Sequence, residues 1–458
     1  MIIGIMKQRQ SIMEQKKLEI VKEDNPIDNV QKTVGLALLG LGTVGGGTYR
    51  VLTGQLDEIQ KRLGCRIEIR HILVRNLKKA SLRVQDSRIL TNRWEDVIED
   101  DGVDIVVELM GGMEPAYTYI REAMERGKHV VTANKDLLAE HGPSLLELAL
   151  NKGVDFMFEA AVAGGIPIIM PLEKSLAGNH LTEIMGIVNG TTNFILTKMS
   201  EEGMDYREAL IQATELGYAE ADPTADVDGL DAGRKVAILA SLAFHCPVYF
   251  HDVHVEGMSM ISAKDIRYAS QMGRTIKLVG VARDTDTGVE AYVCPMLLPK
   301  SHPLSSVNDS FNAVFVHGDA VGDAMFFGRG AGDLPTASAV TGDILSIAEN
   351  ILHGSSGRIG QLLYKKRPMK RMEDTYNRYF LRLHVEDRCG VLAELTEIFA
   401  RYEVSVAQII QREHQKDDLA EVVVITSLVR EGDFQTAIEE LSYRTSVKKI
   451  SRMIRVYE

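Results

Sequence analysis

Three glycines spaced as Gly40-x-Gly42-x-x-Gly45, directly after the apolar run Val34 to Leu39 and just ahead of a helical stretch from Thr48 to Leu63, constrain this chain more than any other feature. In a strand, turn and helix of this form the first glycine allows the tight turn, the second lets backbone approach a pyrophosphate, and the third lets helix and strand pack closely. The turn residues Leu41, Thr43 and Val44 then lie at a helix N-terminus, whose open N–H groups favour an anion. Apolar runs at Ile67 to Val74 and Val103 to Leu109, the pair Gly111-Gly112, a helix over Pro115 to Arg126 and a strand over His129 to Thr132 continue the alternation. Such near-continuous strands alternating with helices predict an α/β unit, a Rossmann-type doubly wound parallel sheet over 34–160.

A fold of this kind that takes NAD ends its second strand in Asp or Glu, which binds the ribose hydroxyls. Here the strand ends Val74-Arg75-Asn76, with Lys78 just beyond. A guanidinium pairs well with a 2′-phosphate, so NADP is the expected coenzyme, with NAD still possible. The plainer alternative leaves Arg75 as a solvated charge at a strand end.

At 458 residues the chain exceeds one ordinary core, and about three domains are expected. Beyond Glu159 the texture changes. A small-residue turn, Val162-Ala-Gly-Gly165, leads to a helix interrupted by Pro167 and Pro171, a strand over Leu181 to Val188, helices near Tyr206 to Leu216 and Gly229 to Ala243, and a β-rich stretch such as Val289 to Leu298. These predict a second, α+β domain over 161–330. Residues 355–376, rich in Gly, Lys and Arg, read as a linker. A βαββαβ order over 377–458 predicts a ferredoxin-like C-terminal domain. Residues 1–33 read as a polar extension, because Lys7, Arg9, Glu14, Lys16 and Lys17 interrupt any secretory apolar core.

The balance of 52 basic against 64 acidic residues, a formal charge of -12, argues against a general nucleic-acid binder. No stretch of about 18 apolar residues predicts a membrane span. Cys65, Cys246, Cys294 and Cys389 are widely separated and form neither a zinc pattern nor a disulfide framework, which suits a reducing cytoplasm. His251 and His254 are spaced HxxH but lack the glutamate of a metalloprotease helix, so a metal role there is not favoured.

The segment Tyr218 to Lys235 holds Glu220, Asp222, Asp226, Asp228 and Asp231. A calcium loop fails the test, since registering Asp226, Asp228 and Gly229 on an EF-hand puts Thr224 at the first ligand position and Lys235 where a bidentate glutamate is required. A loop entering a helix near Asp228 instead sets Asp231 and Lys235 four apart on one face. Lining a cleft, such a pair could exchange a proton with a substrate hydroxyl; on a surface it would be an ordinary salt bridge. Lys135, in Thr132-Ala-Asn-Lys135, stands at the carboxyl end of a predicted parallel strand, where ligands of doubly wound sheets gather. Gly190-Thr191-Thr192-Asn193 follows another strand and reads equally as an exposed backbone turn or a helix cap.

Taken in order, the Gly40 motif, Thr132 to Lys135, Glu159-Ala-Ala-Val-Ala-Gly-Gly-Ile-Pro167, Asn189-Gly-Thr-Thr-Asn193, Tyr218 to Lys235, Glu256-Gly257 and Gly328-Arg-Gly-Ala-Gly332 resemble homoserine dehydrogenases from about Val34 to Leu363. The resemblance implies interconversion of L-homoserine and L-aspartate 4-semialdehyde on the route to threonine, methionine and isoleucine. Lys235 would move the substrate proton, Asp231 would orient it and Lys135 would assist. Glu220 and Asp226 would hold the substrate ammonium, with Gly190, Thr191 and Tyr218 also lining its site. Gly111, Lys135 and Gly332 would join the Gly40 turn around the coenzyme. The domain over 161–330 would serve catalysis and dimerisation, and part of 330–360 would complete the nucleotide-binding unit. A monovalent cation such as Na+ would sit on carbonyls of Val162, Gly164 and Ile166 beside Glu159.

The C-terminal unit is similar to ACT domains, with Asp387-Arg-Cys389-Gly390-Val391-Leu-Ala393 in place of their Asp-x-Pro-Gly-Val-Leu-Ala turn. The similarity implies regulation by an amino acid, threonine being the expected effector, through Asp387, Gly390, Val391 and Gln408. It also implies a homo-oligomer, dimer or tetramer; a domain used only for dimerisation is the simpler alternative. Two rivals stand beside this reading. A phosphorylating semialdehyde dehydrogenase needs an activated cysteine, and none of the four stands in a turn after a central strand. An NADP-binding, amino-acid-responsive regulator would need no proton relay at all. A fused aspartokinase is not expected, because the stretch ahead of Val34 is too short to hold a kinase.

Overall fold

The computed structural model describes residues 32–357, 362–413 and 419–458, so most of the expected N-terminal extension lies outside the described residues. Six strands, β1 (Thr33–Leu39), β2 (Arg66–Leu73), β3 (Leu90–Thr91), β4 (Ile105–Glu108), β5 (His129–Thr132) and β6 (Phe156–Met157), pair in the order β3-β2-β1-β4-β5-β6. Every pairing is parallel. β1 is buried along its whole length after Thr33, as a central strand covered on both faces must be. The chain crosses from one side of β1 to the other between β2 and β4, so a crevice opens at the carboxyl ends of β1 and β4.

The helical stretch expected over Thr48 to Leu63 starts earlier and is two helices, Thr43–Gly54 and Leu56–Leu63, because Gly54 ends the first and Gln55 leaves the helical region at φ -120°. A distant helix, Asp333–His353, completes this unit. Its Val340, Ile344, Ile347 and Ala348 share one core with Val34, Leu36 and Tyr49. The approach of the two helices depends on Gly47, where a Cβ would lie 2.6 Å from the Asp333 carbonyl.

A second, mixed sheet holds β7 (Leu181–Ile187), β8 (His254–Val255), β9 (Arg274–Thr285), β10 (Gly288–Pro299), β11 (Phe311–Gly318), β12 (Gly322–Arg329), β13 (Tyr376–Glu386), β14 (Val406–Glu413), β15 (Leu419–Thr426), β16 (Val429–Arg430) and β17 (Val447–Val456). Its main path runs β12-β11-β7-β9-β10-β17-β13-β15-β14. The helix Leu230–Phe244 lies across it, close enough that a Cβ at Gly280 of β9 would meet Val236 at 2.3 Å.

The C-terminal residues form the expected ferredoxin-like βαββαβ fold, with helices Val391–Arg401 and Glu431–Ser442 packed on β13, β14, β15 and β17 around Leu381, Leu395, Phe399, Val422 and Phe434. Its sheet is not separate from that of the preceding domain: β17 runs parallel to β10, Met296 opposite Arg455 and Leu297 opposite Val456. Nor is the segment leading into it a free tether. Val289 N–H donates to the Pro368 carbonyl at 2.9 Å, and Arg367 and Lys370 pair with Asp284 and Glu290 at 2.8 and 2.7 Å. The basic residues that suggested a solvated linker are the ones that dock it. Among the described residues no helix is long and apolar enough to cross a membrane.

Candidate active site

Gly40 and Gly45 are demanded by the protein itself. Gly40 sits at φ +104° with the Leu109 carbonyl 2.9 Å from where a Cβ would be, and a Cβ on Gly45 would lie 2.2 Å from the Gly40 carbonyl. Gly42 is different: its φ of -75° suits any residue, and nothing of the protein lies within 4 Å of a Cβ there. The space beside it is a cavity of ≈ 510 Å³ walled by Gly40, Leu41, Gly42, Arg75 and Gly111 among others. The helix Thr43–Gly54 opens onto it with no side-chain cap and no acidic residue in its first turn. A glycine without an internal reason, beside an uncapped helix end, fits a pyrophosphate.

Lys78 lies outside the cavity wall, whereas Lys79 and Arg83 line it with Arg75. One position on the short helix Leu77–Ser81 separates the two lysines, which composition alone could not resolve. Arg83 donates to the Leu41 carbonyl at 2.7 Å. The wall's one carboxylate, Glu114, comes from the loop after β4 and not from the end of β2.

Glu108, fully buried at the end of β4, is a residue the sequence analysis missed. It accepts from Met110 N–H at 2.8 Å, Gly111 N–H at 3.1 Å and Thr132 Oγ1 at 2.6 Å, and Asn134 Nδ2 donates to the Gly112 carbonyl at 2.6 Å. The Gly111 loop is thereby tied to the end of β5, where Lys135 opens the next helix, Lys135–Lys152.

Asp231 and Lys235 project from one face of the helix Leu230–Phe244, both buried. Lys235 Nζ lies 2.7 Å from Asp231 Oδ2 and donates to the Val188 carbonyl at 2.6 Å. An ammonium has three donors, so one remains. Asp231 Oδ1 lies 3.3 Å from Lys135 Nζ, and Asn189 Nδ2 reaches Oδ2 at 2.9 Å. Burial alone would raise the Asp231 pKa, but Lys235 and then Lys135 hold it well below the usual carboxylate range. The same contact acts on Lys135: burial lowers its pKa, and Asp231 followed by Asp136 outweighs that and raises it. Lys135, which is not part of the cavity wall, thereby links the carboxyl end of β5 to the Asp231–Lys235 pair.

Asp226 stands close by, its Oδ1 accepting from the same Asn189 amide at 2.7 Å. Asn189, seen in the sequence only as part of a turn, caps the helix Gly190–Glu201 through Thr192 N–H and bridges two carboxylates. Glu220 is exposed on the loop above. Tyr218 packs against Phe194 with ring centroids 4.9 Å apart and planes tilted by 39°, and its carbonyl accepts from Thr191 Oγ1 at 2.7 Å. Gly190 has a packing reason, with the Ser310 carbonyl 2.9 Å from its would-be Cβ. Gly332 is not in the cavity wall; at φ +121° it begins the helix Asp333–His353.

In the Glu159 segment, the carboxylate accepts from the N–H groups of Ile168, Ile169 and Met170 at 2.5 to 2.8 Å. Gly164 sits at φ +53° with the Gly330 carbonyl 2.4 Å from where a Cβ would be, so this backbone has no room for alanine. Burial and then Glu159 push Glu173 up to about 7, and burial drives Asp343 well above the usual range, with Glu159 and Glu173 adding to it. Glu159 and Asp343 are buried and Glu173 is half-buried, and carboxyl groups so close together fit a nearby cation. Among the described residues no group of three or more His, Cys, Asp or Glu is arranged to hold a metal ion. His251 and His254 hold no such group either; His254 pairs with Glu256 at 2.8 Å.

At the C-terminal domain's first turn, Gly390 (φ +91°) precedes Val391 and leaves the helix without a side-chain cap, while Asp387 is exposed. Gln408 lies on β14, beyond β15 from that turn, and among the described residues no hydrogen bond joins the two.

The arrangement matches a known family along its length. Residues 40–159 match the homoserine dehydrogenase NAD-binding domain, 167–345 the homoserine dehydrogenase catalytic model and 379–444 the ACT domain. The chain is 46% identical to the homoserine dehydrogenase of Corynebacterium glutamicum, over 94% of this chain and 97% of that one. The chain belongs to the homoserine dehydrogenase family. The Bacillus subtilis enzyme is 43% identical, covering 93% of this chain and 98% of its own. A homoserine dehydrogenase structure from Thiobacillus denitrificans superposes with a TM-score of 0.89 at 40% identity, over 93% and 99% of the two chains. The enzyme is thus an oxidoreductase with a nicotinamide-nucleotide domain and an ACT regulatory domain, and the Asp231–Lys235 pair lies in its catalytic domain.

Proposed function

We propose that this homoserine dehydrogenase prefers NADP and is inhibited by threonine through its ACT domain. The contact that carries the catalytic reading is the single Asp231 carboxylate holding Lys135 on one oxygen and Lys235 on the other. When homoserine is oxidised, a neutral Lys235 takes the hydroxyl proton; in the reverse direction its ammonium returns a proton to the aldehyde oxygen. Lys135 helps to hold that oxygen, and Asp231 fixes both lysines. A nicotinamide coenzyme held beside the Gly40 turn would supply the hydride chemistry. Glu220 and the second oxygen of Asp226 hold the substrate ammonium, with Gly190, Thr191 and Tyr218 closing its site.

For the coenzyme, Arg75, Lys79 and Arg83 make the wall beyond β2 basic, which supports a 2′-phosphate. The carbonyls of Val162, Gly164 and Ile166 would hold a monovalent cation, whose charge would offset the Glu159 carboxyl cluster. Threonine's carboxylate would meet the open helix end at Gly390 and Val391, with Asp387 and Gln408 completing the site. Assembly as a homo-oligomer is part of the same reading, since the edge strand β12 leaves Phe327 54% exposed. Three buried free thiols and one exposed suit the cytoplasm. The purified enzyme should reduce NADP+ with homoserine faster than NAD+, and added threonine should slow it. No reduction of either coenzyme would overturn the catalytic reading.

A further inference from the structure

Arg455 of β17 sends its guanidinium between two carboxylates that belong to different domains. On one side is Glu431 of the ACT domain, 3.1 Å from Nη2 through both oxygens, which Gln435 and the Tyr379 hydroxyl also engage. On the other is Glu256 of the catalytic domain, 2.8 Å from Nη1. The arginine side chain is 4% exposed and has no other place to turn.

Glu256 follows β8 and is anchored by its N–H to the Val293 carbonyl of β10 at 2.8 Å. The residues around it form the floor beneath the catalytic helix. A Cβ on Gly257 would lie 2.8 Å from both the Val227 carbonyl and Asp228 Cα, and Met258 N–H donates to the Val227 carbonyl at 2.9 Å. Val255 lies 3.1 Å from a would-be Cβ on Gly229 and 2.9 Å from one on Gly233. The turn resting on this floor joins Asp226 to Asp231. Contacts this close leave no slack, so a shift at Glu256 is passed to the loop and not absorbed.

We infer that Glu256, held by Arg455, is a positioning residue for the substrate loop, and that this ion pair is the connection through which the ACT domain sets affinity for the amino-alcohol substrate. The inference rests on the reading of Asp226 and Asp231 as substrate-facing. It adds a physical contact between two elements that effector binding could bias together.

The test uses the full-length enzyme with Glu256→Gln, which keeps the shape and removes the charge, and Arg455→Lys, which keeps a charge between the two carboxylates. Glu256→Gln should raise KM for homoserine about tenfold with KM for the coenzyme unchanged, and should blunt inhibition by threonine. Hydrogen exchange at the amides of 224–231 should quicken in the same variant, and Arg455→Lys should show a smaller change in each readout. An unchanged homoserine KM, a parallel rise in both KM values, or unaltered exchange over 224–231 would overturn the inference. Exchange needs no turnover, so a wild-type enzyme inert towards homoserine would refute the functional reading while the exchange result still judged the coupling.

Discussion

Two buried charge clusters in this molecule use the same side-chain chemistry to opposite ends. Between the ACT and catalytic domains, Arg382 places Nη2 2.8 Å from Asp265 and Nη1 3.1 Å from Glu421, and Glu421 also holds Lys264 at 2.8 Å and the Tyr268 hydroxyl at 2.5 Å. Asp265 and Glu421 are 0% and 2% exposed, so this cluster is closed by its own partners. At the Asp231–Lys235 pair Asp231 is nearly as buried, yet Lys235 uses only two of its three donors, Asp226 only one of its oxygens, and Glu220 is exposed. A closed cluster is a joint between domains, whereas an open one suits the proposed substrate site.

The sharpest way to break this contrast is Lys235→Ala, which should lower kcat by about 10²- to 10⁴-fold while coenzyme affinity, read by fluorescence titration, stays near wild type. If turnover survives, the open cluster is not the proton relay. Asp265→Ala strikes the joint instead, leaving Glu421 as the remaining partner of Arg382, and should cost about 1–3 kcal/mol of stability by urea unfolding with kcat of the folded fraction little changed. Acid should act on the same joint. Burial works to raise the Glu421 pKa, but Lys264, Tyr268 and Arg382 bring it down to about 2. A depressed carboxylate contributes stability that is present above its ordinary value and lost as pH falls towards its folded one. Unfolding midpoints should therefore drop as the pH is lowered from the ordinary glutamate range towards about 2, less steeply in Glu421→Gln.

The glycine turn extends the contrast to backbone. Gly45→Ala should destabilise the protein by about 1–3 kcal/mol through overpacking, whereas Gly42→Ala should leave the melting temperature in place and weaken coenzyme binding. A fall in Tm for Gly42→Ala would mean that its freedom serves the fold. The smallest effect is expected at the cavity wall: Arg83→Ala should cut the preference for NADP over NAD about tenfold, the worth of one charge-assisted hydrogen bond. Competition assays with the two coenzymes would read it.

What could be read ahead of the fold shares one property, short range along the chain. The Gly40 turn lies within a single strand-to-helix junction, and Asp231 with Lys235 lies within one helical turn, so local periodicity reveals both. Arg83 and Glu108 escaped notice because a lone charge near an apolar run looks like any solvated terminus until the loops around it close. Asn189 entered only as part of the Asn189-Gly-Thr-Thr-Asn193 turn; that it caps the next helix and also binds Asp226 and Asp231 depends on a segment 37 to 42 residues further along the chain. The basic stretch before the ACT domain misled for a related reason: its partners, Asp284 and Glu290, lie on a hairpin far earlier in the chain.

By itself the amino-acid sequence determined the glycine turn, the placing of Asp231 and Lys235 on one helical face and the βαββαβ order of the C-terminal domain, since each follows from spacing that backbone geometry imposes locally. Only the tertiary structure decided that Lys135 meets Asp231, that Asp333–His353 returns to cover the first sheet, and that β17 extends the second through β10. Those depend on which buried charges and which Cβ-free glycines find one another across the chain, and burial of that kind is a property of the packed molecule and not of any segment.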